Sequence, residues 1–281
     1  MAIPHELLHG IERLDPLPVT AQRLVRALND ENAGPARIAE FIEYDPAVAS
    51  SVLRLANSAA FGGSTRTTSV RDAVVRLGAS RLLDIVLGDH LKQLKVQAPL
   101  YDLAENDLWV HSAAASLAVR ALQRERPSAG IPDTASTAAL VHDIGKLVMV
   151  RYMKADVATI LALRDERNCT FVEAERDLFG CDHAEVGGVM AERWGFPEDI
   201  ARAIRYHHQV PIPNPTPTID AVVVANLAAK AIGTGLGAEG MDLRLDEQFH
   251  RRLGLDFNGF SRVCIQTMTW LKELKAEYGM K

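Results

Sequence analysis

Apolar residues in this chain recur three and four positions apart in one segment after another, and no stretch alternates apolar and polar residues between hairpin turns. That period belongs to amphipathic helices, since a strand needs a period of two. Ile38, Phe41 and Ile42 follow Pro35 at helical spacing, and Pro35 suits a first helical turn. Asp45-Pro46 opens another helix with Asp45 as N-cap and Pro46 at the first position. Val48, Val52, Leu53 and Leu55 form its apolar side, and it is expected to stop near Phe61-Gly62-Gly63, with Asn57-Ser58 as capping residues. Ser69 starts the next, Gly78 punctuates it, and a further helix covers 81–94. Later helices are expected at about 106–124, 134–143, 155–167, 171–179, 183–194, 198–207, 218–232 and 261–278. The fold class is all-α, a multi-helix bundle.

A chain of 281 residues is long enough for one large domain or two ordinary ones. A mild boundary near Gln97-Ala-Pro99 divides an N-terminal helical subdomain, 1–98, from a histidine-rich one, 99–232. Residues 233–281 form a C-terminal helical extension. Its last helix carries Cys264, Met268, Leu271 and Leu274 on one face, which is expected to cover the core, with a homodimer or partner contact as the second reading. Trp109, Trp194 and Trp270 read as packing residues.

Lys and Arg number 31 against 36 Asp and Glu, so a strong basic excess for nucleic acid or anionic membrane is absent. A local basic stretch, Arg54, Arg66, Arg71, Arg76 and Arg81, overlaps a loose helix-turn-helix pattern at 36–58 and keeps a nucleic-acid module as a third reading. Cys169, Cys181 and Cys264 have no zinc-ribbon or redox spacing and read as reduced thiols. The N-terminus lacks a basic region before an apolar core, and no run of about 18 apolar residues occurs, so a cytoplasmic protein without a membrane span is expected.

Five of the nine histidines, His111, His142, His183, His207 and His208, fall in one pattern with the acids Asp107, Asp143 and Asp182 near them. His142-Asp143 ends an apolar helix. Neighbours on a helix point about 100° apart, so both can face one ion only where the helix ends, and Gly145 is expected to supply that end. Imidazole and carboxylate together suit Fe, Mn, Ni or Zn, and a carboxylate can also bridge two ions. The other histidines arrive on separate helix ends, and Asn226 lies in an apolar helix. Spacing alone leaves structural histidines and a metal site both open.

The stretch Leu140-Val-His142-Asp143-Ile-Gly-Lys146-Leu resembles the signature of the HD superfamily of metal-dependent phosphohydrolases. The wider chain, about 14–232, resembles the HDOD family (HD-related output domain) of bacterial signalling proteins. Asp45-Pro-Ala-Val-Ala, Val52-Leu-Arg-Leu-Ala-Asn57-Ser58-Ala-Ala-Phe61, Val70-Arg-Asp-Ala-Val-Val-Arg-Leu-Gly78, Leu108-Trp109-Val-His111-Ser112, Asp182-His183-Ala-Glu-Val-Gly187, Trp194-Gly-Phe-Pro197 and Tyr206-His207-His208 carry it in order. His111, His142, Asp143, His183, His207 and His208 are also similar to the HD-GYP phosphodiesterases, with Asp107 where those enzymes carry a glutamate.

The resemblance implies His142, Asp143, His183, His207 and His208 as ligands of one or two divalent transition metals, with Asp107 and Asn226 as additional ligands. Lys146 would contact a phosphate and His111 would position a substrate or leaving group. Two departures weigh against catalysis. Gln209-Val-Pro-Ile-Pro stands where the HD-GYP enzymes have Gly-Tyr-Pro, and Asn226 stands in place of their last metal-binding aspartate. The leading expectation is therefore a regulatory signalling protein with a metal-binding HD site and no fast catalysis, acting through a protein partner and open to a nucleotide ligand. The alternative is a metal-dependent phosphohydrolase acting on a nucleotide or cyclic dinucleotide.

Overall fold

The computed structural model describes residues 3–13, 16–30, 32–58, 66–94, 97–153, 157–209, 211–240 and 247–280. Among them, helices account for every regular element, and the nearest thing to a sheet is an isolated bridge between Ala98 and Leu103. The N-terminal part holds α1 (His5–Arg13), α2 (Val19–Leu28), α3 (Pro35–Glu43), α4 (Pro46–Ala56) and α5 (Val70–Gln93). The middle holds α6 (Asp107–Glu125), α7 (Thr134–Val141), α8 (Gly145–Tyr152), α9 (Val157–Arg167), α10 (Phe171–Phe179), α11 (His183–Arg193), α12 (Glu198–Tyr206) and α13 (Pro217–Ala231). Next come α14 (Glu247–Leu253) and α15 (Phe257–Glu277).

Helix starts follow local chemistry. The Asp45 carboxylate accepts the Val48 N–H at 3.2 Å, with Pro46 next in line. Ser69 accepts the Asp72 N–H at 3.0 Å. Thr170 with Glu173, and Asp182 with Glu185, close reciprocal capping boxes at α10 and α11. Asn57 follows α4, and its side-chain amide donates to the Thr67 carbonyl while its side-chain oxygen accepts the Thr67 N–H. The expected stop at Phe61-Gly62-Gly63 lies outside the described residues. Gly78, at φ +72°, breaks α5 into two helical pieces, as its punctuating position suggested.

Some elements escaped the periodicity. Helices α1, α2 and α14 are short, and α15 starts four residues before the expected 261 because Asp256 caps it through the Gly259 N–H. The expected role of Gly145 as a helix end is corrected. The apolar helix stops at Val141, a turn carries residues 142–144, and Gly145 opens α8. A Cβ there would overlap the His183 carbonyl oxygen and press on the Gly187 nitrogen. Glycine is required by close approach of α8 to α11, not by backbone handedness.

Helix α6 is buried along most of its length, from Leu108 to Leu122. Its small residues Ala113, Ala114, Ala115, Ala118 and Ala121 let α7, α13 and α15 pack closely about it. One continuous apolar core runs from Leu7 in α1 to Leu274 in α15. The end of α15 returns to α6 and α5: the Tyr278 ring meets Trp109 at 5.0 Å, and its carbonyl accepts from Lys92 at 2.8 Å. Trp109 and Trp270 are buried, while Trp194 is partly exposed. Of the local basic stretch, Arg54 reaches Glu277, Arg76 donates to Thr67 and Arg81 lies 3.8 Å from Asp133, so three of its members have intramolecular partners. Among the described residues, no helix is long and apolar enough to cross a membrane.

Candidate metal centre

The sequence delivers the site's side chains at helix ends, where the backbone is free to aim them inward. His142 and Asp143 occupy the turn between α7 and α8, Lys146 is the second residue of α8, and His183 is the first of α11. His207 and His208 directly follow α12, while His111 and Asn226 project from the middles of α6 and α13. Asp143 is the hub. Its Oδ1 lies 3.3 Å from His183 Nε2 and 3.7 Å from His207 Nε2. Its Oδ2 lies 3.5 Å from His142 Nε2, 3.6 Å from His111 Nε2 and 2.9 Å from Lys146 Nζ. His208 Nε2 meets His183 Nε2 at 3.2 Å.

Partners on the far side of each ring fix this convergence. His142 Nδ1 is 2.7 Å from the Ala139 carbonyl and His207 Nδ1 is 2.6 Å from the Ile204 carbonyl. Each carbonyl accepts the Nδ1 proton, which leaves Nε2 as a lone-pair donor pointing into the cluster. His183 Nδ1 meets the Glu175 carboxylate at 2.7 Å, and Tyr101 donates to the other oxygen of Glu175 at 2.5 Å. His111 is held between the Thr234 carbonyl and the Asn226 side-chain oxygen, both at 3.1 Å.

Apart from His208, which is partly exposed, these side chains are almost wholly withdrawn from water. His142 and His183 are 0% exposed, Asp143 and His111 2% and His207 3%. Burial pushes His142, His208 and His111 down, toward the neutral form that binds metal. Burial alone would lower His183 too, yet the Glu175 carboxylate and Asp143 overrule it and raise this imidazole to about 10. Burial would raise Asp143, but His142 and Lys146 hold it well below the usual carboxylate range. The same anion, with Glu239, outweighs burial and raises Lys146.

Three buried polar atoms of the cluster, His142 Nε2, His207 Nε2 and Asp143 Oδ1, have no hydrogen-bond partner. Leaving such atoms unpaired is costly in a dry interior. A cation fits them, since all three are lone-pair donors facing one another. Two sets have ligand atoms within 4.8 Å of one another: Asp143, His183, His207 and His208, and His111, His142 and Asp143. Asp143 belongs to both and offers one oxygen to each.

Two sequence candidates stand apart. Asp107 begins α6, and its carboxylate accepts the Ala104 N–H at 2.8 Å, one turn short of the cluster. Asp182 caps α11 and pairs with Arg176 at 2.5 Å. Asn226 does face the site, through His111. Sequence reasoning missed Glu175, Tyr101, Lys230 and Glu239. The Glu239 carboxylate pairs with Lys146 and, at 3.0 Å, with Lys230. Glu175 sits eight positions before His183, a separation that carries meaning only once the corner between α10 and α11 is known.

Residues 14–210 match the family model of the HDOD domain. A protein of Treponema pallidum (strain Nichols), itself uncharacterized, is 24% identical over 224 residues, 78% of this chain and 43% of that protein. The chain thus spans less than half the length of that curated relative. An HDOD domain protein of unknown function from Geobacter sulfurreducens superposes with a TM-score of 0.71 at 26% identity, covering 97% of this chain and 95% of that one. A structure from Shewanella amazonensis SB2B, provisionally named a phosphohydrolase, gives 0.69 at 24% identity over 96% and 98%. One from Marinobacter aquaeolei VT8, provisionally named a signal transduction protein, gives 0.70 at 22% identity over 96% and 65%. The last two likenesses concern the fold alone.

Proposed function

The chain belongs to the HDOD domain family, and from that premise we propose that it is a signalling module whose core is a divalent-metal centre without fast turnover. The observation that carries this reading is the burial of the ligand cluster, in which His208 alone is partly exposed. A hydrolytic metal site keeps a coordination position open for water and substrate. Here the Asp143 hub is 2% exposed, and Lys146, which would meet a phosphate, is already paired with Asp143 and Glu239. His142, Asp143, His183, His207 and His208 would hold the metal, and His111 lies beside it. Mixed imidazole and carboxylate donors favour Fe, Mn, Ni or Zn. When bound, such an ion supplies Lewis acidity and a water of lowered pKa. A regulatory protein is the partner class this reading implies, with a nucleotide as a candidate ligand.

A second reading, a metal-dependent phosphohydrolase, draws on the split of the cluster into two ligand sets sharing Asp143. That arrangement suits two ions bridged by one carboxylate. Elemental analysis of tag-free protein beside a His142→Ala, Asp143→Ala variant tests both readings. One or two metals per chain, lost in a variant that keeps its helical circular dichroism, is the expected result. No metal after incubation with Mn, Fe, Zn and Ni overturns both. Enzyme-like turnover of a phosphodiester by the loaded protein overturns the first in favour of the second.

A further inference from the structure

Two lysines are buried beside the metal centre, Lys146 at 2% and Lys230 at 6% exposure. A buried ammonium needs an anion. Both find the same one. One oxygen of Glu239 pairs with Lys146, and the other accepts from Lys230 at 3.0 Å. The Glu239 side chain is 5% exposed. Burial would raise this carboxyl, but Lys146 and Lys230, followed by His183, hold it far below the ordinary range. Each oxygen of one small planar anion is therefore claimed by a separate buried cation, next to His183 and Asp143.

The anion is delivered by a short strap, 233–240, that follows α13. Gly233, Gly235, Gly237 and Gly240 all have positive φ. Gly235 lies against the His111 ring and Gly237 against the Tyr101 carbonyl oxygen, where a Cβ would overlap. The strap's backbone is tied to the site side by the Thr234 carbonyl to His111 Nδ1 and by the Ala238 N–H to the Tyr101 carbonyl at 2.8 Å, and to the end of α13 by the Thr234 N–H to the Ala229 carbonyl at 3.1 Å. No other ion pair of Glu239 is formed among the described residues.

We propose that Lys146 and Lys230 form a phosphoryl-binding pair and that Glu239 occupies it as an internal stand-in for the ligand. The inference rests on the metal-centre reading and adds to it a second lysine and an internal occupant, Glu239. The charge balance favours a phosphoryl dianion. With Glu239 in place, the two ammoniums are matched by two carboxylates, Asp143 and Glu239. With the strap withdrawn, one positive charge remains before any metal is counted, and each bound divalent ion adds two more. A phosphoryl group offers several oxygens to a lysine pair and so can replace both contacts. Its source is a nucleotide or free phosphate.

Titration calorimetry of the full chain with inorganic phosphate, and separately with adenosine monophosphate, tests this. Metal content is measured on the same samples. Glu239→Gln keeps the side-chain shape and removes the charge, and is expected to tighten binding of at least one probe tenfold or more over the parent chain. Lys230→Met in that background is expected to abolish the gain. Tighter binding of the nucleotide identifies a nucleotide as the source, and equal or tighter binding of phosphate identifies the free ion. Should Glu239→Gln fail to fold, Gly237→Ala retains every charge and displaces the strap sterically, with the same gain expected. A folded variant that binds both probes no better than the parent overturns the proposal, and retained metal in that sample shows that the metal-centre reading survives it. Absence of metal from the parent overturns that reading separately.

Discussion

The Glu175 carboxylate holds one nitrogen of His183 at 2.7 Å while the other nitrogen faces Asp143 at 3.3 Å. The imidazole thus lies between two anions inside a dry core. Without metal, a proton on this ring satisfies both. A metal ion held by this ring would compete with that proton for Nε2, and Glu175 would then keep Nδ1 protonated and strengthen the ring as a donor.

Replacing Glu175 with Gln removes one of those anions. The His183 imidazole of metal-free protein is expected to fall from about 10 toward its ordinary value, read by nuclear magnetic resonance titration of the ring. Metal affinity is expected to fall by about 10–100-fold, the usual effect of losing such an outer partner. An unchanged ring titration contradicts the assigned role.

Stability of the metal-free protein should depend on pH in both directions. His183 has a folded pKa raised to about 10, above the ordinary 6.5, so its contribution is fully present below 6.5 and is lost as pH rises toward 10. His142 and His208 are shifted the other way, so the unfolded chain binds their protons more readily and stability is lost as pH falls below 6.5. Melting temperatures of chelator-treated protein across pH 5 to 10 are expected to peak near 6.5. A steady rise through pH 9 contradicts the His183 assignment.

Gly145→Ala places a methyl group into two backbone groups of α11, which have no rotamer with which to yield. The expected loss is about 3 kcal/mol or more, by overpacking at a rigid contact. Urea unfolding measures it, and a loss below about 1 kcal/mol would mean that α8 and α11 move apart easily.

Asp220 is buried in α13 and receives two hydrogen bonds of 2.7 Å from Arg252 in α14. Arg252→Ala strands that carboxylate. Because Arg252 is itself 30% exposed, the expected cost is about 1–3 kcal/mol, short of a fully buried pair. Denaturant melts check it. Asp220→Asn in the same background should recover part of the loss, since the stranded charge is then gone.

The cluster was legible because its members are histidines and an aspartate, residue types that seldom gather in an apolar bundle without a reason. The helices that carry them were legible from the period of their apolar residues, and Asp45, Ser69 and Asn57 marked helix ends by ordinary capping chemistry. Glu239 was not legible, because a glutamate in a glycine-rich connection looks like any solvated loop residue. Lys230 was not legible either, because a lysine in the last turn of an apolar helix is an ordinary solvated end. Asp107 matched a glutamate position of the HD-GYP enzymes, but its carboxylate accepts the backbone N–H of Ala104 instead. Gly145 drew attention for the wrong cause, since sequence shows a glycine but not the carbonyl oxygen that presses against it.

The break at Gly78 has a mechanical meaning. A continuous 24-residue helix would behave as a single rod, whereas one residue at φ +72° interrupts its hydrogen-bond ladder. The piece beyond the break carries Ser80 and Asp84, which hydrogen-bond to Ser136 and Thr137 of α7, the helix that leads into His142. A tilt of that piece would be delivered to α7 through this hydroxyl–carboxylate clasp while the piece before Gly78 stayed still. Gly78 is in this sense a knuckle, and the limb beyond it is clasped to the helix that leads into the histidine–aspartate cluster.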